Sequence, residues 1–321
     1  MLSLCPSLNA RNHRRAARMK IASACITLLL FSAVASNGQV SATERASLFK
    51  EGAIRALILT GQNNHDWRDT TPLLRRILLN TGRFDVRVNE EPAGMTDATL
   101  APYDVVILNY NGPRLGPVAE KALQDFLRSG KGLVGVHGAN WAFSGLVVLG
   151  DGSVPTEILE SPWKEYKEMI GGVWSDQAPA SGHAPRHKFQ VKIVDRNSPI
   201  TEGLASTFEA DDELYHNIHM AASVHILATA YDDPNNTPEP AADTSTDANR
   251  PKTAGSRAAG KMPHLDMNPT GRDEPVLWTT HYGKGRTFYT TLGHDVQAME
   301  MPGFSTTFVR GVEWAATGTA K

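Results

Sequence analysis

The chain has 321 residues, of which 41% are hydrophobic and 21% charged, with a formal net charge of −2. This is the composition of an ordinary globular protein, and it carries no basic stripe or charge block, which argues against nucleic acid as a partner. The length suits one domain or two.

Arg11, Arg14, Arg15, Arg18 and Lys20 precede an apolar run, Ile21 to Ala35, that closes on Ala33-Val34-Ala35. A basic flank, a short apolar stretch and an A-x-A end describe a secretory signal peptide over residues 1–35, with Met1 or Met19 as its start. The run is shorter than the roughly 20 residues of a spanning helix, so the expectation is a periplasmic or secreted protein with no stable membrane insertion after cleavage. Cleavage after Ala35 removes five basic residues and no acidic one, moving the net charge from −2 to −7. It also removes Cys5 and Cys25, the only two cysteines. The mature chain then has no disulfide, no thiolate ligand and no cysteine nucleophile.

After a linker over 36–52, a single domain is expected over 53–318. "AIRALILT" (53–60) has the length and flanks of a buried strand. The polar loop "GQNNHDWRD" follows, then a helix in "TTPLLRRILLNTG", with Thr71 as N-cap, Pro72 in the first turn and Gly82 at the stop. "FDVRVN" alternates as a strand. "YDVVILNYNG" is another buried strand, "PVAEKALQDFLRSG" a helix closed by Gly130, and "KGLVGVHG" the next strand. Strands alternating with helices, and apolar throughout, indicate an α/β fold with a parallel sheet covered on both faces. Ligands then bind beyond the carboxyl ends of the strands, where "GQNNHDW", "NYNGP" and "HGANW" should lie together.

Farther on, "EYKEMIGGVW" reads as a short helix ending at Gly171-Gly172. "KFQVKIVD", "VHILATAY", "EPVLWTTHY" and "RTFYTTLG" read as strands, the last two joined by the hairpin glycines of "YGKGR". "STTFVRGVEWAATG" closes the chain as an amphipathic helix. Residues 234–273, rich in Pro, Ala, Thr, Asp and Gly, form a surface insertion that lacks the apolar groups to build a core.

"GLVGVHGANWAF", "WKEYKEMIGGVW", "HKFQVKIVDRNSPITEGL" with "DDELY", and "EPVLWTTHYGKGRTFYTTLGHD" together resemble the trehalose-utilisation, or ThuA-like, family, over about residues 53–318. The resemblance implies a flavodoxin-like fold similar to class I glutamine amidotransferases, a mostly parallel sheet with helices on both faces. It also implies carbohydrate metabolism, in particular of disaccharides and their 3-keto derivatives. His137 stands where the amidotransferases carry the cysteine of their elbow, so thiolate hydrolysis of glutamine is excluded.

Histidine supplies a base near neutral pH or a metal-ligand nitrogen. His137 and His294, at strand ends beside glycines, and Glu213 of "DDELY" are the candidate catalytic groups. With His65 they are also the candidate ligands of a divalent metal such as Zn²⁺; no nucleotide cofactor is expected. Asp212 is the runner-up to Glu213. His183, His187, His216 and His219 read as structural, His187 being the strongest of them for a site role. Trp67, Asn109, Asn140 and Trp141 are the candidate substrate contacts, because indole faces stack on sugar rings and amides bond hydroxyls. Asp295 is a candidate for orienting an imidazole. The expected partner is a small sugar. The expected chemistry is proton abstraction beside a sugar ketone, leading to elimination, hydration or isomerisation, with metal assistance. The alternatives are a non-catalytic periplasmic sugar-binding protein and a metal-dependent hydrolase of unoxidised glycosides or esters. A paired-carboxylate glycosidase is disfavoured by the lone well-placed acid.

Overall fold

A computed structural model of the chain describes residues 48–144, 161–235 and 267–321. The expected signal peptide, most of the linker and the greater part of the expected insertion lie outside the described residues. Among those described, no helix is long and apolar enough to cross a membrane.

The first half folds as its pattern predicts. β1 (Ile54–Leu59), β2 (Phe84–Asn89), β3 (Val105–Leu108) and β4 (Gly132–Val136) are parallel neighbours in the order β2-β1-β3-β4. β13 (Gly285–Thr290) continues this parallel set beside β4. Beyond it the sheet turns antiparallel through β12 (Asp273–Tyr282), β11 (His225–Tyr231), β7 (His187–Ile193) and β8 (Thr207–Asp212). The nine-stranded sheet is therefore mixed, parallel in its first five strands and antiparallel in the other four. Two small two-stranded pieces stand apart from it, β5 (Gly172–Val173) with β10 (His219–Met220), and β6 (Gly182–His183) with β9 (Tyr215–His216).

Both faces are covered, which is why β3 and β4 can be apolar at every position. Ala56 and Ile58 of β1, Val134 and Val136 of β4 and Phe288 of β13 face one core. That core is closed by α1 (Trp67–Asn80) and α6 (Pro302–Thr317). Leu57 and Leu59, Leu133 and Tyr289 face the other, under α3 (Pro117–Arg128) and α4 (Lys164–Ile170). Two short helices, α2 (Asp97–Leu100) and α5 (Val296–Glu300), complete the set.

The first helix departs from expectation. It starts at Trp67, not at Thr71, and Pro72 lies inside it. Pro72 removes one intrahelical bond, yet Thr70 and Thr71 remain helical because their hydroxyls serve a buried network described below. The termini of α3, α4 and α6 follow the glycine signals, with Gly171 and Gly318 in the left-handed region.

β8 matters most for function. With β13 taken as pointing up, β12 runs down, β11 up, β7 down and β8 up, so β8 ends at the edge where the parallel strands end. A flat sheet would set β8 about 19 Å from β13 at about 4.8 Å per strand. Instead, Asp212 at the end of β8 accepts the Gly293 N–H at 2.6 Å and the His294 N–H at 3.2 Å. The antiparallel half therefore curls back over α6, as strongly twisted sheets do.

Candidate active site

Four strand ends meet at one point. His65 lies in the loop after β1, His137 follows β4, Glu213 follows β8 and His294 follows the turn after β13. One ring nitrogen or carboxylate oxygen from each lies within 4.8 Å of all the others. The rings of His137 and His294 have centroids 5.3 Å apart, although nearly 160 residues separate them in sequence.

His137 sits at a strained corner, with φ of 48°. A non-glycine residue in the left-handed region costs about 1–2 kcal/mol, so the surroundings must hold it there. Tyr289 donates its phenol to the His137 carbonyl, and Tyr166 donates to the Ala139 carbonyl at 2.5 Å. Tyr289 reaches the corner because Gly135 has no side chain: a Cβ there would lie 2.3 Å from the Tyr289 ring. Gly138 is required in the same way, since its Cβ would stand 2.9 Å from the His65 ring.

The tautomers follow from fixed acceptors. His137 Nδ1 lies 2.6 Å from the Thr291 carbonyl, which can only accept, so Nδ1 carries the proton and Nε2 presents a lone pair. His65 Nδ1 likewise faces Asn63 Oδ1 at 3.0 Å, an oxygen that also accepts the His65 backbone N–H at 2.9 Å. His65 Nε2 then points its lone pair at His137 Nε2, 3.2 Å away. Glu213 Oε2 lies 3.2 Å from His294 Nδ1, 3.5 Å from His137 Nε2 and 3.6 Å from His183 Nε2. His294 Nδ1 is buried without an aligned hydrogen bond despite that close contact.

These observations fit a metal ion. Ligand atoms about 2.0–2.1 Å from a shared tetrahedral ion stand about 3.3–3.4 Å apart; three of the six gaps here are 3.2, 3.2 and 3.5 Å, and all lie within 4.8 Å. Two lone pairs turned to one point, that of His137 already met by the Tyr215 phenol at 2.8 Å, and an orphaned buried nitrogen are groups a cation would take up. His65, His137, Glu213 and His294 thus form a cluster able to hold one divalent ion.

For His65 and Glu213 the electrostatics point the same way, and for His294, whose charged form Glu213 favours, a cation must displace a proton. Burial first, and then the charges of His137 and His294, push His65 well below the ordinary histidine range, leaving it neutral as a ligand must be. Burial also lowers His183, against the pull of Glu213. Burial alone would raise Glu213, but the charge of His183 and the contacts with His137 and His294 outweigh it and hold the carboxyl well below its usual range. His294 is raised, because its contact with Glu213 and the charge of that residue outweigh burial.

Asp212 and Arg186 fix the two remote segments. Asp212 is buried and accepts the backbone N–H groups of Glu213, Gly293 and His294, so it positions the cluster without joining it. Arg186 bonds Asp211 at 2.9 Å and also pairs with Asp295. Asp295 does not orient an imidazole: it caps α5 by accepting the Ala298 N–H at 2.9 Å.

The expected substrate contacts divide. Asn109 is buried and its amide donates to Thr70 and Thr71 at 3.0 and 2.9 Å, so it anchors the His65 loop and has no donor left for a sugar. Asn140 and Trp141 lie in the same turn as His137, and among the described residues the Asn140 amide and the Trp141 indole N–H find no partner. Trp141 packs on Trp174 at 5.3 Å, and Trp174 meets Tyr215 at 5.0 Å, which continues an aromatic wall to the cluster. Trp67 is half-buried with the Arg68 guanidinium 4.3 Å over its ring.

Two site residues escaped the sequence reading. His183 faces Glu213, whereas His187, ranked above it, bonds the Pro185 carbonyl and packs on Phe189. His183 pairs in register with Tyr215 across β6 and β9, strands of two residues each that give no periodic signal. Tyr215 itself donates to His137 Nε2 at 2.8 Å. His216 is buried against Asp232, and His219 bonds the Pro179 carbonyl.

Comparison with known proteins agrees with this architecture. The ThuA family, described as trehalose utilisation, matches residues 55–315. A ThuA-like protein from Parabacteroides merdae is 28% identical, with a TM-score of 0.63 over 84% of this chain and 92% of that one. A ThuA-like protein from Bacteroides uniformis shares the fold at 17% identity, with a TM-score of 0.57 over 85% of this chain and 96% of that one. No curated protein matches the sequence significantly.

Proposed function

The chain belongs to the ThuA family of trehalose utilisation and carbohydrate metabolism, and on that premise we propose that it is an exported enzyme acting on a 3-keto-glycoside or related keto-sugar. The observation that carries this reading is the convergence of three imidazoles and one ionised carboxylate from four strand ends, beside a buried amide and indole with unused polar atoms.

A ketone at C3 of a sugar acidifies the C2 proton. Glu213, kept ionised in a buried place by His183, His137 and His294, is the base that takes it. His65, His137 and His294 would hold a divalent cation such as Zn²⁺ with Glu213 beside it, and the cation would supply a Lewis acid for the carbonyl oxygen. Asn140 and Trp141 bind sugar hydroxyls through the amide and the indole N–H, and the indoles of Trp141 and Trp174 offer an apolar wall for the ring. Glu213 then passes that proton to the C1 oxygen as it leaves, so the glycosidic bond breaks and a C1–C2 double bond forms beside the ketone; water adds across that bond to give the free keto-sugar. Export rests on the basic and apolar pattern of residues 11–35.

The test is incubation of the purified protein with a 3-keto-disaccharide and with its unoxidised parent, each with and without a chelator. Cleavage of the keto form alone, abolished by the chelator, supports the reading. Cleavage of both sugars would make the protein a general metal-dependent hydrolase, and binding without turnover would make it a sugar-binding protein.

A further inference from the structure

Among the described residues, Tyr215 is the nearest hydrogen-bond partner of His137 Nε2. Its hydroxyl stands 2.8 Å away, nearer than His65 Nε2 at 3.2 Å or Glu213 Oε2 at 3.5 Å. Of these three, the phenol is the donor: His65 Nδ1 is committed to Asn63 Oδ1, which leaves its Nε2 a lone pair, and a carboxylate oxygen accepts. The ring is buried and fixed by Trp174 and by the register with His183. Among the described residues, His137 is the hydrogen-bond partner of that hydroxyl.

One sp² lone pair cannot accept a hydrogen bond and bind a cation together. We propose that Tyr215 is a further catalytic residue of the cluster, a phenol that holds the His137 lone pair in the metal-free protein and, on cation loading, turns its O–H to a substrate oxygen. This rests on the reading of the cluster as a cation site in a keto-sugar enzyme. The oxygen best matched is one that gains negative charge during reaction, such as the C3 oxygen as the C2 proton leaves. A donor already placed within 3 Å of a ligand atom stabilises such an oxyanion without solvent reorganisation. Nothing is transferred from the phenol; it donates a hydrogen bond and keeps its proton.

The experiment compares the full chain and its Tyr215→Phe variant, both stripped with chelator, by calorimetric titration with Co²⁺ and by turnover of a 3-keto-disaccharide. The variant should bind Co²⁺ about three- to tenfold more tightly, since a competing hydrogen bond is removed. Its kcat should fall by on the order of 10², with KM changed by less than about threefold, as for a group that acts in the transition state. A wild-type protein that binds no Co²⁺ overturns both the cation reading and the role of Tyr215. Wild-type binding with no tightening in the variant overturns the role of Tyr215 alone, and tightening with unchanged kcat overturns its donation to substrate. Should the variant fail to fold by circular dichroism, the wild type decides. Addition of Zn²⁺ should shift tyrosine absorbance as the phenol leaves His137, and no shift overturns the proposal.

Discussion

His65 Nε2 and His137 Nε2 stand 3.2 Å apart with both opposite ring nitrogens already committed, to Asn63 Oδ1 and to the Thr291 carbonyl. In those tautomers both Nε2 atoms carry lone pairs; the Tyr215 phenol meets that of His137, and that of His65 is turned toward His137 with no proton between them. A cation at this point would take up both lone pairs, and the acceptors that set the tautomers are themselves fixed by the fold.

Replacement of His294 should therefore act on metal before it acts on fold. His294 is partly exposed and its Nδ1 has no aligned partner within the described residues. His294→Ala should lower bound Zn²⁺ at least tenfold by elemental analysis and abolish turnover, while the melting temperature of the metal-free protein moves by only a few degrees. His137 is different, because it is buried at φ 48°. His137→Ala keeps the strained backbone and adds the loss of the Nδ1 bond to the Thr291 carbonyl, about 1 kcal/mol, to the loss of metal, and His137→Asn, a residue that favours that conformation, should recover part of the stability but no metal.

The metal-free protein should be most stable near the ordinary histidine pKa. His65 and His183 have lowered values, chiefly from burial, so the unfolded chain takes up their protons first and stability falls as pH drops below about 6.5. His294 is raised by Glu213 against burial, so its contribution is complete below about 6.5 and is lost as pH rises through its folded value. Thermal melts of chelated protein between pH 5 and 9 measure both limbs. His65→Gln should flatten the acid limb, and an unchanged limb would contradict the assignment.

Glu213→Gln separates the two roles open to the carboxylate. If Glu213 acts mainly as the base, turnover falls by about 10² or more while bound metal is held by the three imidazoles. Metal content measured beside kcat decides the matter: loss of both makes Glu213 a required ligand.

Asp212→Ala should destabilise by about 3 kcal/mol, because it strips the acceptor from three buried or partly buried N–H groups. Denaturant titration measures this. A cost under about 1 kcal/mol would show that the end of β8 is held by other means.

Replacing residues 236–266 by a short Gly-Ser linker should leave the melting temperature within a few degrees. The flanks are already joined, since Asp232 N–H donates to Arg272 O at 2.9 Å and Gly271 N–H to Asp232 O at 2.9 Å. Closing a loop of changed length costs only about 0.6 kcal/mol per doubling, so a collapse would mean that the replaced residues pack against the domain.

What the chain reveals before folding depends on whether a signal is local. The strands of 54–59, 105–108 and 132–136 announce themselves because burial on two faces demands apolar side chains at nearly every position, Arg55 at the start of the first being the exception. His137 and His294 announce themselves because glycines beside a strand end mark a close approach, here to the His65 ring and within the turn before His294. Thr70 and Thr71 mislead, since polar residues that suit an N-cap also suit a buried hydroxyl network around Asn109. Asp211 to Glu213 are legible in part. Leu214-Tyr215 behind them anchors the turn to the core and singles out Glu213, but Asp212 is drawn inward as well, by backbone N–H groups some 80 residues away that leave no local mark. His183 and Tyr215 carry no local signal, because a two-residue bridge between β6 and β9 sets their place.

The most direct measurement is anomalous diffraction at the zinc edge from crystals of the protein soaked in Zn²⁺. The account predicts one strong peak about 2.0–2.2 Å from His65 Nε2, His137 Nε2 and His294 Nδ1, with Glu213 Oε2 beside it. No peak among the three imidazoles, or a peak held by other residues, would contradict it.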